Sequence, residues 1–76
     1  MLKIRIKGWN PGLKKVSLDL LLHKEVQLSL VSARDHVNLL IRGQELVFEF
    51  DDEEKAKYVC AEIRKLGANC EVLVGR

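Results

Sequence analysis

Cysteine is scarce, aromatic residues are few and no apolar run is long. Two cysteines in 76 residues, Cys60 and Cys70, make no disulfide framework, and they lack the four-ligand spacing of a zinc site. Each falls on the inward side of its segment, so both read as reduced thiols filling a core. No stretch approaches the roughly 18 apolar residues of a membrane span, and Leu20 to Leu22 reads as a buried helix patch. The start, Met1 followed by an alternating strand, lacks the zones of a signal peptide, so a cytoplasmic chain is expected. Missing too are a phosphate-loop glycine pattern, a G-x-S-x-G elbow and an H-E-x-x-H pair. His23 and His36 fall on different helices without a cysteine or carboxylate cluster, and His36 lies off its apolar stripe, where solvation is expected. No enzyme, cofactor or metal is therefore expected. The net charge of +2 does not by itself point to nucleic acid.

What is present is a strongly patterned small domain. With 47% apolar residues the chain can bury one core, and 76 residues make a single domain. Asp51 to Val74 reads as helix, glycine stop and strand. Ala56, Val59, Cys60, Ile63 and Leu66 recur at helical spacing. The acids Asp51 to Glu54 sit at the positive end of the helix dipole, with Asp51 as cap and Glu54 closing a capping box, which explains the run without a bound cation. Arg64, Lys65 and Gly67 end the helix, and Cys70, Val72 and Val74 alternate inward along a strand.

Earlier in the chain, Leu2, Ile4 and Ile6 alternate with Lys3, Arg5 and Lys7 as a strand with one buried face. Gly8-Trp9-Asn10-Pro11-Gly12 is a turn cluster. Leu13 to about Lys24 predicts a helix with Leu13, Val16, Leu20, Leu21 and Leu22 inward. A second helix is expected from the cap Ser29, with Leu30, Ala33, Val37 and Leu40 on its stripe, ended by Arg42 and Gly43. Leu46, Phe48 and Phe50 mark another strand. The order β-α-α-β-α-β predicts an α+β fold, a two-layer sandwich with three helices on one face of a three-stranded sheet. The crossover rule sets the last two strands parallel, flanking the first, with Lys3, Arg5 and Lys7 between Glu49 and Glu71 on the open face. Gly75-Arg76 forms a short tail.

Over residues 13–74 the chain resembles the C-terminal domain of the bacterial ribosomal stalk protein. Lys15-Val16 through Val37 lie against that family without a gap. Leu28-Ser29-Leu30-Val31-Ser32-Ala33-Arg34-Asp35 occupies its helix–helix junction, and Leu66-Gly67-Ala68-Asn69-Cys70-Glu71-Val72 resembles its closing turn and strand. The same fold serves the adaptor that delivers N-degron substrates to the Clp protease, and Pro11, Gly43 and Phe50 fall near its proline, glycine and phenylalanine. The stalk resemblance implies that basic residues on the first two helices receive a translational GTPase. Lys15 and Arg34 match basic positions of that surface, and Val16 and Ser17 its small or apolar ones. Asp19 stands where the family has isoleucine, Leu20 where it has lysine and His23 where it has arginine. Gln27 and Ser29 replace two junction glycines. Within these 76 residues there is no counterpart of the stalk's dimerising domain and hinge, so a binding module rather than a whole stalk is expected. The adaptor's acidic anchor for an α-amine is replaced by Ile6, Lys7 and Gly8, whose cation would repel an ammonium.

Lys14 and Lys15 break a rule of helix design, because cations in a first turn oppose the dipole. Following Gly12, they add positive charge to the unpaired N–H groups of a helix start, which suits an acidic protein patch or a phosphate. Trp9 beside them is a candidate interface anchor, or packs back on the sheet edge, and Pro11 would stiffen its loop. The expected site is therefore Lys14, Lys15, Val16, Arg34 and Trp9, binding an acidic protein surface. The alternative is an RNA contact through Lys3, Arg5 and Lys7, although no aromatics interleave there for stacking. Val47 and Leu73 on the open face leave the chain a monomer or a weak homodimer through the sheet.

Overall fold

Alternating apolar and cationic residues make β1 (Leu2–Trp9) the centre of the sheet. It pairs antiparallel with β2 (Leu46–Phe50) on one side and β3 (Ala68–Val74) on the other, so the two outer strands run parallel to each other. The order is β1, α1 (Lys15–Glu25), α2 (Leu30–Ile41), β2, α3 (Glu53–Leu66), β3 in this computed structural model, which describes residues 2–74. The inward position assigned to Val74 and the Gly75-Arg76 tail lie outside the described residues. Register places Ile4 between Phe48 and Val72, and Ile6 between Leu46 and Cys70. These residues turn one face of the sheet toward Leu18, Leu22, Val37, Leu40, Val59 and Ile63 of the helices, forming one core. The other face carries Lys3, Arg5, Glu49 and Glu71. Three helices on one face of an antiparallel sheet give the expected α+β sandwich.

α3 follows its sequence signals closely. Ala56, Val59, Cys60 and Ile63 are buried and Leu66 is half-buried. The cap is Asp52, however, not Asp51: Glu54 N–H donates to Asp52 Oδ1 at 2.9 Å. Helical backbone begins only at Glu53, which leaves Asp51 one residue outside the cap position. Gly67 ends the helix at φ 108° in the left-handed region.

The segment between β1 and α1 is tied to this same end. Leu13 N–H donates to Asn10 carbonyl at 3.1 Å across Pro11-Gly12, and Gly12 has φ +92°, the positive angle that a type II turn requires at its third residue. Asn10 N–H then donates to Gly67 carbonyl at 2.8 Å and Lys14 N–H to Leu66 carbonyl at 3.0 Å. Two consequences correct the sequence reading. Trp9 belongs to β1 rather than the loop, opposite Ala68, after a register shift between Ile6 and Trp9. α1 starts at Lys15, so Leu13 is buried in the loop ahead of it and the helix presents Leu18 and Leu22 inward. Val16 and Leu20, expected inward, are 70% and 53% exposed, and of the leucine pair Leu21 is only half-buried. Apolar residues lie nearly all round α1, so periodicity alone selects no face; the docked loop selects it.

In α2, Ser29 caps as expected, its Oγ accepting from Ser32 N–H at 3.1 Å, and Ala33, Val37 and Leu40 are buried. Leu30 is exposed instead of joining that stripe, because it is the first helical residue and overhangs the α1–α2 junction. His36 is half-buried rather than solvated: Nδ1 lies 2.7 Å from Ser32 carbonyl, and the ring tilts against Phe48 at 5.5 Å between centroids. At the junction itself Val26 N–H closes on Leu22 carbonyl and Gln27 takes φ 64°. This is the αL position past a helix end, which glycine most often fills.

Two substitutions test these backbone demands in opposite directions by urea denaturation. Gly67→Ala should destabilise by about 2 kcal/mol: it places a Cβ in the left-handed region and 3.1 Å from Leu13 Cα. Gln27→Gly should stabilise by about 0.5–1 kcal/mol, since relief of the αL strain exceeds the added unfolded-state entropy.

Candidate protein-binding site

The start of α1 is built unlike the start of α3. Lys14 occupies its cap position and has no side-chain capping bond, and the first turn holds no acidic residue. Lys14 spends its own N–H on Leu66 carbonyl and accepts Leu18 N–H at 3.0 Å. The positive end of the helix dipole therefore carries two exposed lysines, and among the described residues neither is within ion-pair distance of a carboxylate. Val16 and Leu20, four residues apart, share one face of the helix and both stand exposed. An apolar ridge beside unpaired cations is thus the chemical character of this surface.

Arg34 joins α2 to this ridge at a different kind of contact. Its Nε lies 3.8 Å from Oδ2 of Asp19, while its side chain stays 75% exposed. Asp19 itself is 9% exposed and its Oδ1 has no hydrogen-bond partner. A carboxylate sits under the guanidinium and takes part of its charge. Trp9, at the end of β1, is 38% exposed, and its neighbour Asn10 is fastened to Gly67. Pro11 therefore shapes the type II turn before α1 rather than a loop presenting Trp9. Lys14, Lys15 and Val16 are consecutive at one helix start, and Arg34 faces the next turn through Asp19. Leu20 was missed as a surface residue, because apolar residues lie nearly all round α1 and periodicity selects no face there.

The open sheet face has a different electrostatic character. Arg5 Nη2 donates to Glu71 Oε1, Lys7 Nζ lies 3.8 Å from Glu45 Oε1, and Lys3 stands opposite Glu49. Each cation of the expected basic stripe has a carboxylate beside it. Two of the four acids in the Asp51–Glu54 run are engaged locally: Asp52 caps α3, and Glu53 lies 3.4 Å from Lys57. Both cysteines are buried and free. Burial, and then the hydrogen bond with Cys60, push the Cys70 thiol well above its ordinary range, so it stays a protonated, poorly nucleophilic group.

Asp19 is the position where burial and charge conflict most directly. A buried carboxylate oxygen without a partner costs about 1–3 kcal/mol, and an exposed arginine at 3.8 Å returns little of it. Asp19→Ile should therefore raise stability by about 1–2 kcal/mol, whereas Arg34→Ala alone should move it by less than about 1 kcal/mol. Urea midpoints of the two variants and their double mutant measure both quantities. In comparisons with known proteins, no family model matches the chain, and no curated protein matches it significantly.

Proposed function

We propose that this chain is a non-enzymatic, cytoplasmic protein-interaction module that engages an acidic partner surface through the start of α1 and the adjoining side of α2. The observation that carries the reading is the exposed Val16–Leu20 ridge next to Lys14 and Lys15, two cations that no carboxylate among the described residues neutralises. Burying large aliphatic side chains supplies most of the free energy of association, and cations at the margin speed encounter with an acidic surface and fix its orientation. Keeping lysines at the positive end of a dipole costs some tenths of a kcal/mol each, a small sacrifice that partner binding would offset.

The stalk resemblance supports the same surface and suggests a translational GTPase as partner class. Asp19 tempers the resemblance on α2, because part of the Arg34 charge is already answered within the molecule. Lys14 and Lys15 therefore dominate the field. The RNA reading has less support, since the sheet cations stand beside Glu45, Glu49 and Glu71 and a phosphate would have to displace them. N-degron recognition lacks its acidic anchor.

The test is affinity purification from native cells with wild-type protein and with Lys14→Glu/Lys15→Glu, quantified at two salt concentrations. Two charge reversals at a steered interface should lower partner recovery by about tenfold or more, and added salt should reduce wild-type recovery in the same direction. Undiminished recovery of every partner by the double variant overturns the assignment.

A further inference from the structure

Beside the exposed ridge, α1 and α3 part to leave a groove of about 330 Å³ lined by Ser17, Leu20, Leu21, Lys24, Glu62, Lys65 and Leu66. Its apolar lining is leucine, Lys24 and Lys65 are exposed, and Glu62 adds one half-buried carboxylate. Lys65 is held at 3.0 Å by Glu62 across one turn of α3, which keeps the Lys65 ammonium at the rim with most of its side chain exposed. Lys24 has no ion-pair partner among the described residues. Lys14 does not line the groove but lies three residues before Ser17, with its N–H donating to the carbonyl of Leu66. The trough thus runs along α1 from Ser17 to Lys24, with Lys14 in the turn before it and Lys24 at its other end. Ten residues of helix separate Lys14 from Lys24, about 15 Å at 1.5 Å rise per residue.

We propose that this groove seats an amphipathic helix of about three turns from the acidic partner, with aliphatic side chains between α1 and α3. The proposal rests on the reading of Lys14 and Lys15 above and extends it to a second, apolar subsite that α2 does not touch. Charge complementarity selects the occupant. A segment with carboxylates at both ends, spaced by about 15 Å, meets Lys14 at one end and Lys24 at the other, while its apolar stripe covers Leu20, Leu21 and Leu66. A basic helix would bring ammonium groups against the same lysines, and a wholly polar one would leave the leucines uncovered.

The experiment titrates ¹⁵N-labelled protein with a blocked synthetic peptide of about sixteen residues, leucine at i, i+3, i+4 and i+7 and glutamate pairs at both ends. Saturable shifts at the amides of Ser17, Leu21, Lys24 and Leu66 are expected. Leu20→Glu, which changes a half-exposed residue and leaves the core intact, should weaken them at least about tenfold. Ser17→Phe, which fills the groove, should weaken them similarly, and Lys24→Glu about threefold. A control peptide with lysine ends should give no saturable shift. Four outcomes overturn the proposal: equal binding of the lysine peptide; shifts that survive both Leu20→Glu and Ser17→Phe; groove shifts on changing the concentration of protein alone, which assign the surface to a second copy; and shifts confined to the start of α1 and to α2. The last leaves the acidic-surface reading standing. The loss of partner recovery with Lys14→Glu/Lys15→Glu tests that reading independently.

Discussion

The fold turns on one place, where the chain entering α1 is bonded to the chain leaving α3. Asn10 gives its N–H to Gly67 and Lys14 gives its N–H to Leu66, while Leu13 Cα would crowd a Cβ at Gly67 to 3.1 Å. These contacts satisfy two carbonyls at the end of α3 that would otherwise lack partners. They also decide where α1 begins, and a helix of 3.6 residues per turn is committed to one phase once its first residue is fixed. Starting at Lys15 turns Leu18 and Leu22 onto the sheet and leaves Val16 and Leu20 in water. The apolar ridge on which the proposed binding depends is therefore set by a backbone contact two residues before it, at Lys14.

Legibility in the sequence varied with how many signals agreed at each segment. In α3 and β3, periodicity, first-turn acids, last-turn cations and Gly67 all point one way; the cap shifts from Asp51 to Asp52, and with it the expected capping box with Glu54 is lost. In β1 and β2 the two-residue alternation fixes both faces, and from them the pairing of Lys3 with Glu49 and of Arg5 with Glu71 follows. α1 fails because leucines surround it. Its phase is a tertiary property, written in Asn10–Lys14 and Leu66-Gly67 rather than in the helix. Trp9 fails for a related reason: Gly8 signals a turn, but here it sits where the register shifts, and the strand continues past it. His36 lies off the apolar stripe yet is half-buried, because Phe48 on a distant strand lies against it. Of the candidate site, the lysine pair was legible as a broken rule, and Leu20 was not.

Departures from locally favoured residues gather round α1, and one more, the buried Arg5 Nε without a hydrogen-bond partner, lies on β1. Gln27 holds a left-handed angle that glycine would hold without strain, Asp19 buries a carboxylate oxygen without a partner, and Lys14 caps α1 with no side-chain acceptor. All three belong to α1 or its flanks. The half built from α3 and β3 carries no comparable conflict, with its capping aspartate, its matched terminal charges and its glycine stop.

Local costs of this kind persist when the remainder of the fold over-determines the conformation, and α1 is fastened at its start by Leu66 and Gly67 and along its length by Leu18 and Leu22. A helix held from outside its own sequence can carry residues that are poor for helix stability. Lysines at the N-terminus and aliphatic side chains in water are such residues, and they are also the ones a docking surface for an acidic, amphipathic partner requires. The division of labour follows from the physics of the two halves. α3 and β3 supply the consistent signals that define the fold, and α1, relieved of that task, is the element whose surface is open to specialise.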